Sequence, residues 1–183
     1  MNIVKINLKS ASPIQFSRHH QTPKLEKEND EDFEKRTWLN KAHINEDGRV
    51  IIPASFFKNS LSEIAKYLSV KIPGKGKSTY TKHFEAGVMV LDPLLTNRMK
   101  TDLTPREVFG SSQGVRGAGK RVLKIFPTLE SWEGSINYII LDETITEDIL
   151  LEHVIECGKF QGLGTWRPRN GGTYGRFDVV MRK

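Results

Sequence analysis

Residues 136–155, INYIILDETITEDILLEHVI, decide how the rest of the chain is read. The apolar run from Ile136 to Leu141 has the length and composition of a buried strand. Thr144-Ile145-Thr146-Glu147 then places a hydroxyl three residues ahead of a carboxylate, the pattern of a capping box at a helix start. Ile149, Leu150, Val154 and Ile155 recur behind it at helical spacing, and the acidic front end suits the helix dipole. A strand that feeds an amphipathic helix points to a helix lying on one face of a sheet, so the other strands must be found on either side of it.

Toward the N-terminus, residues 3–9 alternate, with Val4, Ile6 and Leu8 on one side and Lys5, Asn7 and Lys9 on the other, the period of a half-buried strand. The run Lys24–Arg36, KLEKENDEDFEKR, mixes both charges and reads as a solvated, mobile insertion. Val50-Ile51-Ile52 precedes Pro53, which suits a first helical turn because its missing N–H would be unpaired there anyway. Phe56, Phe57, Leu61, Ile64, Ala65 and Leu68 then predict a core-facing helix over about 53–69. A loop over 73–80 and a strand over 87–91 follow. Thr104-Pro105-Arg106-Glu107 carries helix-start signals and predicts a short helix, cut off by Gly110, Gly114, Gly117 and Gly119. Strands are expected at 121–127 and 135–141, paired as a hairpin, and a last strand near 174–181. Without insertions the order is strand, helix, strand, strand, helix, strand. That is an α+β fold with a ferredoxin-like (RRM-like) βαββαβ core, an antiparallel sheet, two helices and long loop insertions. One domain over 1–183 is expected, with insertions at about 10–49 and 92–120.

Composition narrows the class. The chain has 183 residues, 37% hydrophobic and 27% charged, which suits a soluble globular protein able to bury its own core. No apolar run approaches the roughly 20 residues a membrane helix needs, so no membrane partner is expected. Met1-Asn2-Ile3-Val4-Lys5 reads as a strand start and lacks the layout of a secretion signal. A single cysteine, Cys157, excludes an internal disulfide framework and a multi-cysteine zinc site, points to a reducing, cytoplasmic setting, and reads as a small apolar residue at a helix end.

Charge is unevenly spread. Residues 58–124 carry thirteen Lys/Arg against five Asp/Glu, residues 160–183 five against one, and residues 125–159 one against eight. The segment 160–177 packs five glycines, three arginines, a tryptophan and three other aromatics into eighteen residues. Glycines let a backbone approach a sugar-phosphate chain, Arg167, Arg169 and Arg176 suit phosphates, and Trp166 and Tyr174 offer stacking faces for unpaired bases. Two further loops repeat the theme of small residues between cations, one around Lys75 and Lys77, the other around Arg116, Lys120 and Arg121. The run Gly74-Lys75-Gly76-Lys77-Ser78 only superficially matches a nucleotide-binding loop, since Lys71 stands where the first glycine belongs. Candidate acid–base groups are His19, His20, His43 and the cluster Tyr80, Lys82 and His83, but no spacing pairs a base with an acid. His153 reads as a helix-face or packing residue. No cofactor and no metal are expected.

Ile52-Pro53-Ala54-Ser55-Phe56-Phe57-Lys58-Asn59-Ser60-Leu61 resembles the helix start of the CRISPR-associated RAMP superfamily, especially the backbone subunits that coat guide RNA in effector complexes. The glycine-rich loop ahead of the last strand, ending in Gly175-Arg176-Phe177, resembles that superfamily's hallmark. Ala54 and Asn59 stand where glycines are usual, and Phe56 replaces a small residue. The resemblance implies that Ser55 and Lys58 lie near an RNA backbone and that the 162–176 loop lines the same groove. The expected function is therefore binding of single-stranded RNA or DNA without catalysis, with CRISPR effector subunits and self-association along the strand as further partners. Two alternatives stay open: a virus- or phage-encoded single-strand-binding protein or anti-CRISPR mimic working through protein contacts, and a metal-independent endoribonuclease.

Overall fold

A computed structural model of the chain describes residues 2–112 and 119–180. It is a mixed α+β fold of antiparallel sheets and helices. In chain order the elements are β1 (Asn2–Ser10), β2 (Ile14–Gln15), α1 (Asp30–Thr37), β3 (Arg49–Ile52), α2 (Ala54–Leu68), α3 (Thr81–Gly87), β4 (Val88–Met89), β5 (Leu94–Met99), β6 (Thr104–Ser111), β7 (Arg121–Leu129), β8 (Glu133–Ile140), α4 (Glu147–Glu156) and β9 (Phe177–Val179). Among the described residues they form a four-stranded sheet in the order β4-β8-β1-β9, a three-stranded sheet β2-β7-β6 and a two-stranded sheet β3-β5.

The alternation in β1 sets one face of the largest sheet. Ile6 and Leu8 are buried, and their partners across the ladder, Ile136 and Gly134, continue the same face. Tyr138 and Ile140 extend it, and α2 and α4 cover it with Phe57, Leu61, Ile64, Leu150 and Val154. At Gly134 a Cβ would lie 2.6 Å from the Leu95 carbonyl oxygen, so β8 needs glycine where β5 crosses it. The opposite face carries Ile3, Lys5, Lys9 and Asn137 into solvent.

Four expectations are corrected. Residues 104–111 are a strand, not a helix: β6 pairs with β7 from Thr104↔Thr128 to Ser111↔Arg121. Eight ladder pairs outweigh the capping signal, and Pro105 is tolerated because β6 is an edge strand. Second, β7 and β8 do not form a hairpin. The chain turns through Trp132, whose amide bonds the Ser10 hydroxyl at 3.0 Å, and β8 enters the sheet of β1 while β7 stays with β6. Third, part of the charged run is a helix. Asn29 caps α1 by accepting from the Asp32 amide at 2.9 Å, acids fill its first turn, and bases fill its last. Glu34 anchors it to β7, accepting from Lys41, from Lys124 at 3.2 Å and from the Ile125 amide at 3.0 Å. Burial raises the Glu34 pKa, but these donors more than offset that and hold it below the usual range. Fourth, α4 is capped by Thr146, which accepts from the Ile149 amide at 3.3 Å, while Thr144 donates its own amide to Asp142. No helix among the described residues is long and apolar enough to cross a membrane.

Candidate nucleic-acid interface

A π-helical turn over Cys157–Gln161 ends α4 and opens the glycine-rich segment. This segment is packed backbone against backbone. A Cβ at Gly172 would fall 1.7 Å from the Trp166 carbonyl oxygen, one at Gly175 1.9 Å from that of Leu163, and one at Gly164 2.3 Å from that of Gln15. Gly162, Gly164, Gly171 and Gly175 also hold the positive φ that side chains resist. Hydrogen bonds close the fold of the loop: Leu163 N–H to Gly175 at 2.9 Å and Tyr174 N–H to Trp166 at 3.1 Å. Others tie it to the β2 segment: Thr165 N–H to Gln15 at 3.0 Å and Gly175 N–H to Pro13 at 2.7 Å. The loop is thus a rigid platform.

Trp166 sits on that platform in the left-handed region, at φ 57°, with 46% of its surface exposed. That conformation costs about 1–2 kcal/mol for a side-chain-bearing residue, which the surrounding backbone bonds offset. Tyr174 is half-buried, and the Arg106 guanidinium lies 5.8 Å from its ring centroid. Arg106 thereby joins the edge strand β6 to the loop. Nothing in the sequence singles it out, because it falls inside a segment with helix-start signals.

The cations divide into those engaged by the fold and those left to solvent. Arg167 pairs with Glu63 of α2 at 3.1 Å and keeps 18% of its side chain exposed. Arg176 donates to the Lys159 carbonyl, closing the π-helical turn. Lys58 donates to the Phe84 and Glu85 carbonyls at 2.6 and 2.9 Å, and burial lowers its pKa. Arg169 is exposed on a 3-10 turn, and Ser55 is exposed in the first turn of α2. The α2 hydroxyl that meets the loop is that of Ser60, which donates to the Gly162 carbonyl at 3.3 Å. Lys75 and Lys77 stand exposed on the α2–α3 connection, closed by a Lys71↔Thr79 bridge. Lys120 and Arg121 lie at the loop end of the β6–β7 pair, where Arg121 donates to the Phe109 carbonyl at 3.0 Å. Arg116 lies outside the described residues.

Among the described residues the open face of the largest sheet carries no aromatic ring: Ile3, Lys5, Asn137, Ile139 and Met89 occupy it. The exposed aromatic rings among the described residues are those of Tyr67, Phe109, Phe160 and Trp166. Of the acid–base candidates, Tyr80 is buried against Phe84 and His153, and Lys82 is exposed. His83 Nδ1 donates to Asp142 at 2.6 Å, a bond that lowers the Asp142 pKa. Asp142 is far away in sequence, so spacing gives no sign of the pair. His43 is wedged between Phe16 and Phe56, and burial lowers its pKa. Burial pushes the Cys157 thiol up, which keeps it protonated. No three or more His, Cys, Asp or Glu among the described residues are arranged to hold a metal ion.

Neither a family model nor a curated protein matches the sequence. Solved structures do. The chain is similar to Cmr6 from Pyrococcus furiosus, at 12% identity and a TM-score of 0.56, over 98% of this chain and 98% of that one. It is also similar to a chain of the type III-B Cmr-beta assembly bound to cognate target RNA, at 13% identity and a TM-score of 0.55. That match covers 98% of this chain and 58% of the other. The fold is therefore shared with Cmr6 and with that chain of the Cmr-beta assembly.

Proposed function

We propose that this chain is a single-domain, CRISPR-associated RNA-binding protein with a ferredoxin-like core, binding a single strand across its glycine-rich loop. The order β4-β8-β1-β9, with α2 between β1 and β4 and α4 between β8 and β9, supports that core. The solved Cmr-beta assembly bound to target RNA supports the ligand class. The observation that carries the proposal is the rigid loop that holds Trp166 outward in a left-handed conformation beside the Arg106–Tyr174 pair. A stacking ring already held in place loses little further entropy when a base covers it, and Arg169 beside it is free to meet a phosphate. Lys75 and Lys77 on the α2–α3 connection, and Lys120 and Arg121 at the start of β7, add charge. Gel-shift titrations with oligouridine, the matching single-stranded DNA and a duplex, each at two salt concentrations, test it. The expected result is tighter binding to the single strands, weakening steeply with salt. No binding to either single strand at low salt overturns it.

The His83–Asp142 hydrogen bond favours a second reading, a metal-independent ribonuclease. A carboxylate that fixes one imidazole nitrogen orients the other to take a ribose hydroxyl proton. Cleavage of RNA in chelator, abolished by His83→Ala with the fold retained, is the result this reading requires.

A further inference from the structure

The helix layer carries a feature that the nucleic-acid site does not use. Between the C-terminal ends of α2 and α4 lies a groove of about 340 Å³ lined by Leu68, Val70, Glu152, His153, Ile155 and Glu156. Val70 is 38% exposed, and alongside it the exposed rings of Tyr67 and Phe160 meet at 5.8 Å. Apolar side chains left against water are stabilised by whatever covers them.

The charge around the groove says what that cover is. Both charged residues lining the groove, Glu152 and Glu156, are carboxylates. Glu156 is half neutralised by Lys159 at 2.8 Å, whereas Glu152 is exposed and makes no ion pair among the described residues. A polyanion would meet like charge here. His153 adds an acceptor. Its Nδ1 donates to the Ile149 carbonyl at 2.8 Å, which leaves Nε2 with a lone pair, buried and without a donor among the described residues. Buried acceptors without partners are uncommon, and this one belongs to a side chain that lines the groove.

We propose that this groove docks a protein segment that carries aliphatic side chains flanked by lysine or arginine. The aliphatic groups cover Leu68, Val70 and Ile155, and the cations meet Glu152 and Glu156. None of the residues lining the groove belongs to the glycine-rich segment, so a partner protein and a nucleic-acid strand are expected to bind this chain without competing.

The test uses isotope-labelled full-length protein and a synthetic amphipathic helical peptide with leucines on one face and flanking lysines. The comparison probes are the same peptide with glutamates for lysines, and oligouridine. The expected result is amide shifts confined to residues 67–70 and 152–160, with affinity for the lysine peptide roughly tenfold above that for the glutamate peptide. Glu152→Gln with Glu156→Gln reduces that affinity at least about fivefold and does not weaken oligouridine binding. Equal affinity for both peptides, peptide shifts centred on 162–176, or oligouridine binding at the groove overturns the proposal. So does a concentration-dependent shift of the groove without peptide, which would assign it to a second copy of this chain. Loss of oligouridine binding alone would overturn the nucleic-acid reading and leave this one standing.

Discussion

Two loops of this chain share a composition and differ in mechanics. Residues 73–80 and 160–177 both intersperse glycines with cations, and both contain glycines at positive φ. At Gly74 and Gly76 an added Cβ meets nothing within 4 Å, whereas at Gly172 and Gly175 it would strike a carbonyl oxygen at 1.7 and 1.9 Å. In the first loop glycine serves only the turn; in the second it lets two backbone segments touch. Composition alone therefore cannot separate a tether for charge from a scaffold for a ring. Alanine separates them most directly. Gly175→Ala adds steric overlap to the φ penalty and is expected to cost about 3 kcal/mol or more, read from the denaturant midpoint. Gly74→Ala incurs only the left-handed backbone cost of about 1 kcal/mol. Equal destabilisation at the two sites would mean that the 160–177 loop relaxes freely and is no platform.

The next largest effect separates binding from stability. Trp166→Gly removes a stacking ring and at the same time relieves the only left-handed tryptophan among the described residues. Oligouridine affinity is expected to fall about tenfold, in the range set by removing one base–aromatic stack. Stability is expected to rise by up to about 1 kcal/mol, as φ 57° becomes unstrained. A variant weakened in both affinity and stability would show the indole to be part of the packing instead. Arg106→Ala addresses the same point, since it removes the cation beside Tyr174 without touching the loop's backbone bonds. A drop in affinity that shrinks as salt rises is expected from the loss of one cation at the site, together with a stability loss of up to about 1 kcal/mol from the broken cation–ring contact.

These residues also show what is legible beforehand. The alternation Val4, Ile6, Leu8 and the helical spacing of Phe57, Leu61 and Ile64 are readable because burial on one face imposes a period. β6 has no such period: Thr104–Glu107 are all exposed, so only their local Thr-Pro-Arg-Glu chemistry speaks, and it speaks for a helix. Arg106 disappears with that misreading. Ser60 meets the glycine loop because the buried face of α2 is fixed by packing against a segment a hundred residues away, which the local sequence does not announce. The glycine-rich loop itself stands out in composition, yet which of its arginines are free does not. Arg167 is held by Glu63 and Arg176 by the Lys159 carbonyl, partners that no local pattern announces.

The smallest effect is expected where charge is carried without scaffold. Lys75 and Lys77 are exposed on a loop whose glycines touch nothing, so they offer a bound strand counterion release and no fixed geometry. Replacing both with alanine is expected to reduce the slope of log affinity against log salt by about 1.4, near 0.7 for each single-strand phosphate that is no longer neutralised. The affinity deficit shrinks as salt rises, stability is unchanged, and the Trp166 effect adds to it independently, because the two sites share no partner. A slope untouched by the double substitution would withdraw this loop from the interface. The strand would then be confined to Arg169, Trp166 and the Arg106–Tyr174 pair, and the contrast between the two loops would become one between a binding site and a solvated turn.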